Sequence, residues 1–326
     1  MNRFFRIVIS LVLLGLVIWY LGGLGEVLSL FGKINTTFVI LALLVSTLDR
    51  VIMTYKWGLL LKAKGQHLPL LQGMKIYCAS MVWGMFLPST VGADAIRVVS
   101  TARVGLDSKE VVASIVIERM VGFFSALTFG LLSLAILYWL GLFDARFEVL
   151  GWVAGAMLFF GVAGFVASLN QKVFDWGYGI LPGRVMRARL TQRVQDFHMT
   201  YQGYGTKKRA LVAFFSLTFG EQWLAIVFAW VIAIGMGIHV GLLFIAGVLP
   251  LALLISRLPI SIDGWGVFDG VFILLMSLAG VSAAEAVAIA LAARVLQTAS
   301  WLPWWLSHLI SNGGFREARH LAVEGR

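Results

Sequence analysis

Charged residues are scarce in this chain of 326 residues. Asp, Glu, Lys and Arg together make up 13% of it, whereas hydrophobic residues make up 60%. Soluble domains carry about 25% charged and about 45–50% apolar residues. The polar surface is therefore too small for a soluble protein of this size, and the high hydrophobicity excludes intrinsic disorder. The composition predicts a membrane protein that crosses the bilayer several times, and its 35 Gly and 12 Trp suit close helix packing and interfacial anchoring.

Cysteine and histidine are also rare. The single cysteine, Cys78, lies within an apolar run, so no intramolecular disulfide can form. Five scattered histidines lack the Cys/His spacing of a metal site, and the sequence has no phosphate-binding loop or hydrolase motif. We therefore expect no metal, no cofactor and no enzymatic activity.

The net charge of +10 would, in a soluble protein, suggest nucleic acid as a partner. Lys and Arg of membrane proteins, however, cluster in cytoplasmic loops, where they face anionic lipid. The charge is better explained by membrane topology, and we expect no nucleic-acid partner.

Apolar segments predict about six full membrane spans. The first covers 7–25; a signal peptide is the alternative, but the run is longer than a typical signal-peptide core and lacks a good cleavage site. Further spans are predicted at 36–61, from a candidate N-cap at Ser108 to about 140, at 149–169, within 210–256 with a break near Gly235, and at about 283–310.

The longest polar stretch covers about 170–208, and its excess of Lys and Arg indicates the cytoplasm. Met186, Leu190, Val194 and Phe197 recur within it at helical spacing, which predicts an amphipathic helix on the inner leaflet. We expect one transmembrane domain over 1–326, placed in a bacterial inner membrane with both termini in the cytoplasm.

Two interruptions of the apolar runs resemble each other: Leu87-Pro88-Ser89-Thr90-Val91-Gly92-Ala93-Asp94 and Leu258-Pro259-Ile260-Ser261-Ile262-Asp263-Gly264-Trp265-Gly266. Each is followed by a helix with an arginine, Arg119 or Arg294. A proline among small residues at membrane depth suggests a re-entrant hairpin.

The order of the spans brings the two hairpins in from opposite faces. We therefore predict an all-α fold with two opposed re-entrant hairpins in an inverted repeat, a recurrent transporter design. Repeat 1 covers about 36–140 and repeat 2 about 210–310. Coincidental Leu-Pro turns are the alternative.

Several charges lie inside the apolar segments, although each costs at least ~2.5–3.5 kcal/mol at bilayer depth on insertion scales. Adjacent helical residues point in different directions, so Glu118 and Arg119 need separate partners. We expect Arg97, Arg119 and Arg294 to converge on an anion, and guanidinium groups favour a lipid phosphate. Mutual ion pairing is the alternative. The candidate binding residues are Arg97, Arg119, Arg294, Asp94, Glu118, Pro88, Ser89, Gly92, Ser261, Asp263, Gly264 and Asp269.

Three segments, taken together, are similar to one family. They are Pro88-x-x-x-Gly92-x-Asp94-x-x-Arg97, Glu118-Arg119-x-x-Gly122 and Pro259-Ile260-Ser261-x-x-Gly264-x-Gly266. The chain resembles, over nearly its whole length, the lysylphosphatidylglycerol synthase transmembrane region family, which is flippase-like. Asp269 stands where the family often has Glu, so a carboxylate is kept.

The resemblance implies a lipid transporter, because this region of the synthases moves modified lipid to the outer leaflet. A soluble synthetase domain follows it there; since this chain ends at Arg326, we expect no aminoacyl transfer. The expected ligand is an anionic phospholipid or a polyprenyl-phosphate or terpenoid lipid, and an oligomer is compatible with the sequence. One alternative is a scaffold or accessory subunit for a lipid-modifying enzyme, and a less favoured one is a membrane enzyme acting on lipid phosphates.

Overall fold

The computed structural model describes residues 25–85, 90–142, 145–170, 198–256 and 266–312, and within these ranges the chain is helical and has no strand. The helices are α1 (Gly25–Lys33), α2 (Thr36–Ala63), α3 (Leu70–Gly84), α4 (Thr90–Arg103), α5 (Ser108–Trp139), α6 (Ala145–Ser168), α7 (Lys208–Gly235), α8 (Leu242–Ser256), α9 (Val267–Met276) and α10 (Ala283–Asn312), with short 3-10 turns at Gly203–Thr206 and Ser277–Ala279.

Five described helices are long and apolar enough to cross a membrane: α2, α5, α6, α7 and α10. This confirms the predicted all-α polytopic membrane fold. The predicted first span at 7–25 and most of the basic stretch lie outside the described residues, apart from Gly25 in α1 and the short parts at 170 and 198–208.

Polar caps set several helix boundaries. Asn35 caps α2 by accepting a hydrogen bond from the Thr37 amide at 2.8 Å. Asp107 caps α5 in the same way, accepting from the Lys109 amide at 2.8 Å. The candidate N-cap Ser108 was therefore placed one residue too late, because the carboxylate before it reaches the free amides of the first turn. α7 ends at the predicted break, where Gly237 has a φ of 78°.

Besides the nine-residue α1, four of the described helices are shorter than a membrane span. α3, α4 and α8 have 15, 14 and 15 residues, and α9 has 10. At 1.5 Å per residue they are about 15–22 Å long, against a hydrocarbon core of about 30 Å. α3 packs against α4 and α8 against α9, so the short helices form two pairs. The connections within the pairs, 86–89 and 257–265, lie outside the described residues.

The contacts between helices repeat in the two halves of the chain, α2–α5 and α7–α10. The first helices, α2 and α7, pack along each other. The second helix of each half packs against the fourth helix of the other, α3 against α10 and α8 against α5. This reciprocal pattern is the one that a two-fold axis between the halves produces. The predicted repeat boundaries and the single-domain assignment stay predictions.

α2 and α7 run antiparallel. At one end the Asn35 amide donates to the Gly235 carbonyl at 3.0 Å. At the other end Tyr204, which precedes α7, donates its hydroxyl to the Leu60 carbonyl at 3.3 Å. Burial raises the pKa of the Tyr204 phenol and so keeps this donor protonated.

One face of the molecule therefore carries the end of α2 and the start of α7. The start of α5 lies there too, because Lys64 pairs with Glu110 at 3.5 Å. The opposite orientation of α2 and α7 is the one that inverted halves require.

Candidate functional site

Among the predicted site residues that the structure describes, Arg97 of α4 is the most enclosed and is 2% exposed. Its guanidinium carbon lies 4.1 Å from the ring centroid of Trp57 on α2 and 4.5 Å from that of Tyr77 on α3. Both aromatic rings contribute cation–π attraction. Arg97 Nη2 also donates to Glu118 Oε2 on α5 at 2.6 Å. One arginine thus ties together all four helices of the first half.

The partners of Arg97 are themselves fixed. Tyr77 donates its hydroxyl to Glu118 Oε1 at 3.0 Å, so both carboxylate oxygens of Glu118 are engaged. Trp57 Nε1 donates to Ser114 Oγ at 3.0 Å. The Arg97–Glu118 pair is therefore held in one geometry, which suits a positioning element better than a group that must exchange ligands.

Asp94 and Arg119 form a second, more open ion pair. Arg119 Nε donates to Asp94 Oδ2 at 2.6 Å, and Asp94 Oδ1 lies 3.8 Å from Arg97 Nη1. Half of the Arg119 side-chain surface is exposed. Asp94 thus stands between a buried arginine and an accessible one, and Glu118 and Arg119 have separate partners, as their helical directions require.

Asp269 and Arg294 form the corresponding pair in the second half. Arg294 Nη2 lies 3.2 and 3.1 Å from the two oxygens of Asp269, and its guanidinium carbon lies 5.8 Å from the Phe268 ring centroid. Asp269 is buried and also accepts the Gly266 amide at 3.0 Å. A quarter of the Arg294 side chain is exposed.

The two pairs have the same spacing in the chain: Arg119 follows Asp94 by 25 residues, and Arg294 follows Asp269 by 25. Asp269 of α9 thus corresponds to Asp94 of α4. The match of the Leu-Pro motifs suggested another alignment, with 31 residues (119 − 88) from Pro88 to Arg119 and 35 (294 − 259) from Pro259 to Arg294. The difference lies before the aspartates.

The structure joins Arg97, Arg119, Asp94 and Glu118 in one group and pairs Arg294 with Asp269. Gly92 lies in the first turn of α4, close to Asp94 in the chain. The convergence of all three arginines on one anion stays a prediction. The other candidates, Pro88, Ser89, Ser261, Asp263 and Gly264, lie outside the described residues.

A further charged group at the α2–α7 contact was not recognised as a site from the sequence. The Lys56 ammonium pairs with the Glu221 carboxylate and donates to Thr218 Oγ1 at 3.1 Å. Arg50 lies six residues before Lys56 on α2, and its Nε donates to Asp49 Oδ2 at 2.8 Å. The Arg50 guanidinium carbon lies 5.7 Å from the Trp301 ring centroid. The available signal was a lysine seven residues before the end of a 28-residue apolar helix.

Together these features define a polytopic α-helical membrane protein with paired charges beside two pairs of short helices. The sequence profile of the lysylphosphatidylglycerol synthase TM region matches residues 6–303, and the chain belongs to this family.

Two relatives have been named only as membrane proteins. The chain is 25% identical over 308 residues to a UPF0104 membrane protein of Methanothermobacter thermautotrophicus, and the match covers 89% of both chains. It is 21% identical over 295 residues to the UPF0104 membrane protein MJ1595 of Methanocaldococcus jannaschii, and the match covers 84% of both.

Proposed function

We propose that this protein is a flippase-like lipid transporter, which moves a phosphate-bearing lipid between the leaflets of the cell membrane. The observation that carries the proposal is the Asp94–Arg119 pair: an arginine within a membrane-spanning helix has half of its side chain exposed. Ionisable residues at such positions mark substrate pathways more often than they serve as packing.

Arg119 can exchange the Asp94 carboxylate for a phosphate, because Asp94 has a second cationic neighbour in Arg97. When no lipid is bound, Asp94 neutralises Arg119. A phosphate that takes over the Arg119 guanidinium leaves Asp94 beside Arg97, whose Nη1 already lies 3.8 Å away. Asp94 thus keeps one cationic neighbour, which it shares with Glu118, and guanidinium binds phosphate with two parallel hydrogen bonds. Both the anionic phospholipids and the polyprenyl-phosphate lipids offer this phosphate.

The short helices support a polar route beside the arginines. Non-helical backbone at membrane depth is tolerated only where protein buries it or where it lines a water-filled cavity. α4 and α9 both begin beyond the ends of short partners, α3 and α8, and each carries the aspartate of one ion pair in its first turns. The first turns of α4 and α9 are therefore neighbours of the arginines in both halves.

Positive charge gives the proposed orientation. The face with the end of α2 and the start of α7 carries Lys62, Lys64, Lys207 and Lys208. The positive-inside rule assigns this face to the cytoplasm. α10 ends on the same face if it runs parallel to α2, which puts the C-terminus in the cytoplasm, and a first span at 7–25 puts the N-terminus there as well.

The test uses the purified protein in vesicles with a fluorescent phosphatidylglycerol in both leaflets and a membrane-impermeant quencher outside. Wild-type protein should expose the inner-leaflet lipid to the quencher, and Arg119→Ala and Arg294→Ala should not. Arg103→Ala, at the exposed end of α4, is the matched arginine control and should behave as wild type. Full lipid movement in both site variants would refute the assignment of the arginines, and no movement by the wild type would refute the transport proposal for this lipid.

A further inference from the structure

A buried Lys–Glu pair joins the first helices of the two halves. Lys56 lies on α2 and Glu221 on α7, and their side chains are 4% and 14% exposed. The described hydrogen bonds of Lys56 and Glu221 do not involve the Asp94–Arg119 or Asp269–Arg294 pair. The membrane depth of the Lys56–Glu221 pair and its position between the halves indicate a role other than packing.

The immediate surroundings of the pair are polar on one side and aromatic on the other. Lys56 Nζ donates to Thr218 Oγ1 at 3.1 Å, and this hydroxyl donates in turn to the Phe214 carbonyl at 2.8 Å. The Phe214 ring centroid lies 5.1 Å from Nζ. The ammonium is therefore held by one carboxylate, one hydroxyl and one ring face.

Other ionisable groups surround the pair on several helices. Asp49 and Arg50 of α2 and Tyr77 of α3 lie within electrostatic range of Glu221, and Glu118 of α5 lies within range of Lys56. α8 has no ionisable side chain, and those of α10 are Glu285, Arg294 and His308. Lys56, Arg50, Asp49 and Glu221 sum to zero charge, so one added proton gives the α2–α7 contact a net positive charge.

We infer that the Lys56–Glu221 pair is a proton site that couples proton movement to motion of one half of the protein against the other. The inference rests on the proposed transport function and names its energy source. Sliding α7 along α2 would separate the two side chains. Separating the two members of a buried ion pair leaves two uncompensated charges, which is strongly unfavourable.

Proton transfer within the pair removes this penalty. One Nζ–H bond of Lys56 breaks and one O–H bond of Glu221 forms, so an ammonium and a carboxylate become a neutral amine and a neutral carboxylic acid. The two halves can then part without a bare charge on either side. The amine takes up a proton from one face and the acid releases one to the other, which restores the pair and moves one proton across.

The experiment measures lipid movement and proton flux in the same vesicles. The full-length protein is reconstituted with fluorescent phosphatidylglycerol, a pH-sensitive dye is trapped inside, and a pH difference is imposed across the membrane. In the wild type, a pH difference of one sign should accelerate lipid movement, and adding a protonophore should remove the acceleration. Proton flux should depend on the presence of the transported lipid.

Three variants separate coupling from folding. Glu221→Gln removes the proton acceptor and should abolish both the acceleration by pH and the lipid-dependent proton flux, while lipid still equilibrates. Glu221→Asp keeps a carboxylate and should retain both. Glu110→Gln removes the carboxylate of the partly buried Lys64–Glu110 pair, which joins the end of α2 to the start of α5, and should match the wild type. All three are compared only after gel filtration shows the same monodisperse particle.

The outcomes are distinct. If the wild type moves lipid at the same rate with and without a pH difference, the coupling inference fails and the transport proposal stands. If Glu221→Gln keeps the acceleration and the proton flux, the proton site is elsewhere and the inference fails. If the wild type moves no lipid, the transport proposal fails first, and the coupling inference fails with it.

Discussion

Arg119 is the twelfth residue of α5, and Arg294 is the twelfth residue of α10. Each lies 11 residues, or about 16 Å, from the start of its helix. By the symmetry that relates α2 to α7, α10 begins at the face opposite to the one where α5 begins. The two Asp–Arg pairs are therefore placed at matching depths, measured from opposite faces of the membrane.

Removing both charges of one pair separates binding from structure. The double variant Asp94→Asn with Arg119→Gln keeps the shape of residue 94, replaces the guanidinium by a shorter neutral amide and leaves Arg97 paired with Glu118. Because Arg119 is half exposed, we expect the free energy of unfolding to stay within about 1 kcal/mol of the wild type. Lipid movement should nevertheless be lost, as the quenching assay in vesicles would show. A double variant that transports normally would mean that the pair is purely structural.

Arg97→Ala should destabilise the protein by about 3–5 kcal/mol, because it leaves the Glu118 carboxylate buried without its cation. Arg97→Lys should restore little of this stability, since an ammonium lacks the planar group that a guanidinium presents to the Trp57 and Tyr77 rings. Denaturant titration in mixed micelles measures both. Arg103→Ala, an exposed arginine of the same helix, should change the free energy by no more than about 0.5 kcal/mol. An Arg97→Ala protein of wild-type stability that no longer binds lipid would instead make Arg97 a direct ligand.

Gly84 sets the distance between α3 and α4. A Cβ at this position would lie 2.8 Å from the Cβ of Ala93, and neither atom can move without its backbone. Gly84→Ala should therefore push the pair of short helices apart and cost about 1–3 kcal/mol of stability, measured by thermal unfolding in detergent. Gly58→Ala on α2 has open space and should leave stability unchanged or raise it by up to about 1 kcal/mol. Equal melting temperatures for the two variants would contradict this packing.

Cysteine labelling tests the orientation. Cys78 is fully buried, so the native protein should resist a membrane-impermeant maleimide. On a Cys78→Ala background, Thr36→Cys and Lys109→Cys place exposed thiols at the starts of α2 and α5. These two positions should label from opposite sides, with Lys109→Cys reacting only from the cytoplasm. Labelling of both positions from one side would contradict the placement of the starts of α2 and α5 on opposite faces.

Much of the fold can be predicted from the sequence, because long apolar segments with polar caps are characteristic of membrane helices. The break after Gly235 and the interrupted character of 76–103 were both visible. The alignment of the two halves was not predicted, because the Leu-Pro motifs are their most conspicuous similarity. Ten residues separate Pro259 from Asp269 but only six separate Pro88 from Asp94. The equal spacing appears only once the partner of each arginine is known.

Only part of the site was predicted, because only some of its residues stand out in an apolar sequence. Arg97, Asp94, Glu118 and Arg119 were recognised because charge in an apolar run is conspicuous. Tyr77 was missed, because an aromatic residue in an apolar run resembles ordinary core, and only the structure shows its hydroxyl on Glu118. Lys56 was missed because it stands close to Lys62 and Lys64, which are typical of a helix end in the cytoplasm.

The exchange of helix contacts between the halves has a consequence for assembly. α3 packs on α10 of the other half, and α8 packs on α5, so each half on its own would present unfilled surfaces to lipid. Two fragments divided between residues 170 and 198 should accumulate only when they are produced together. We also expect damage to a short helix in one half to loosen the long helix of the other half, against which it packs.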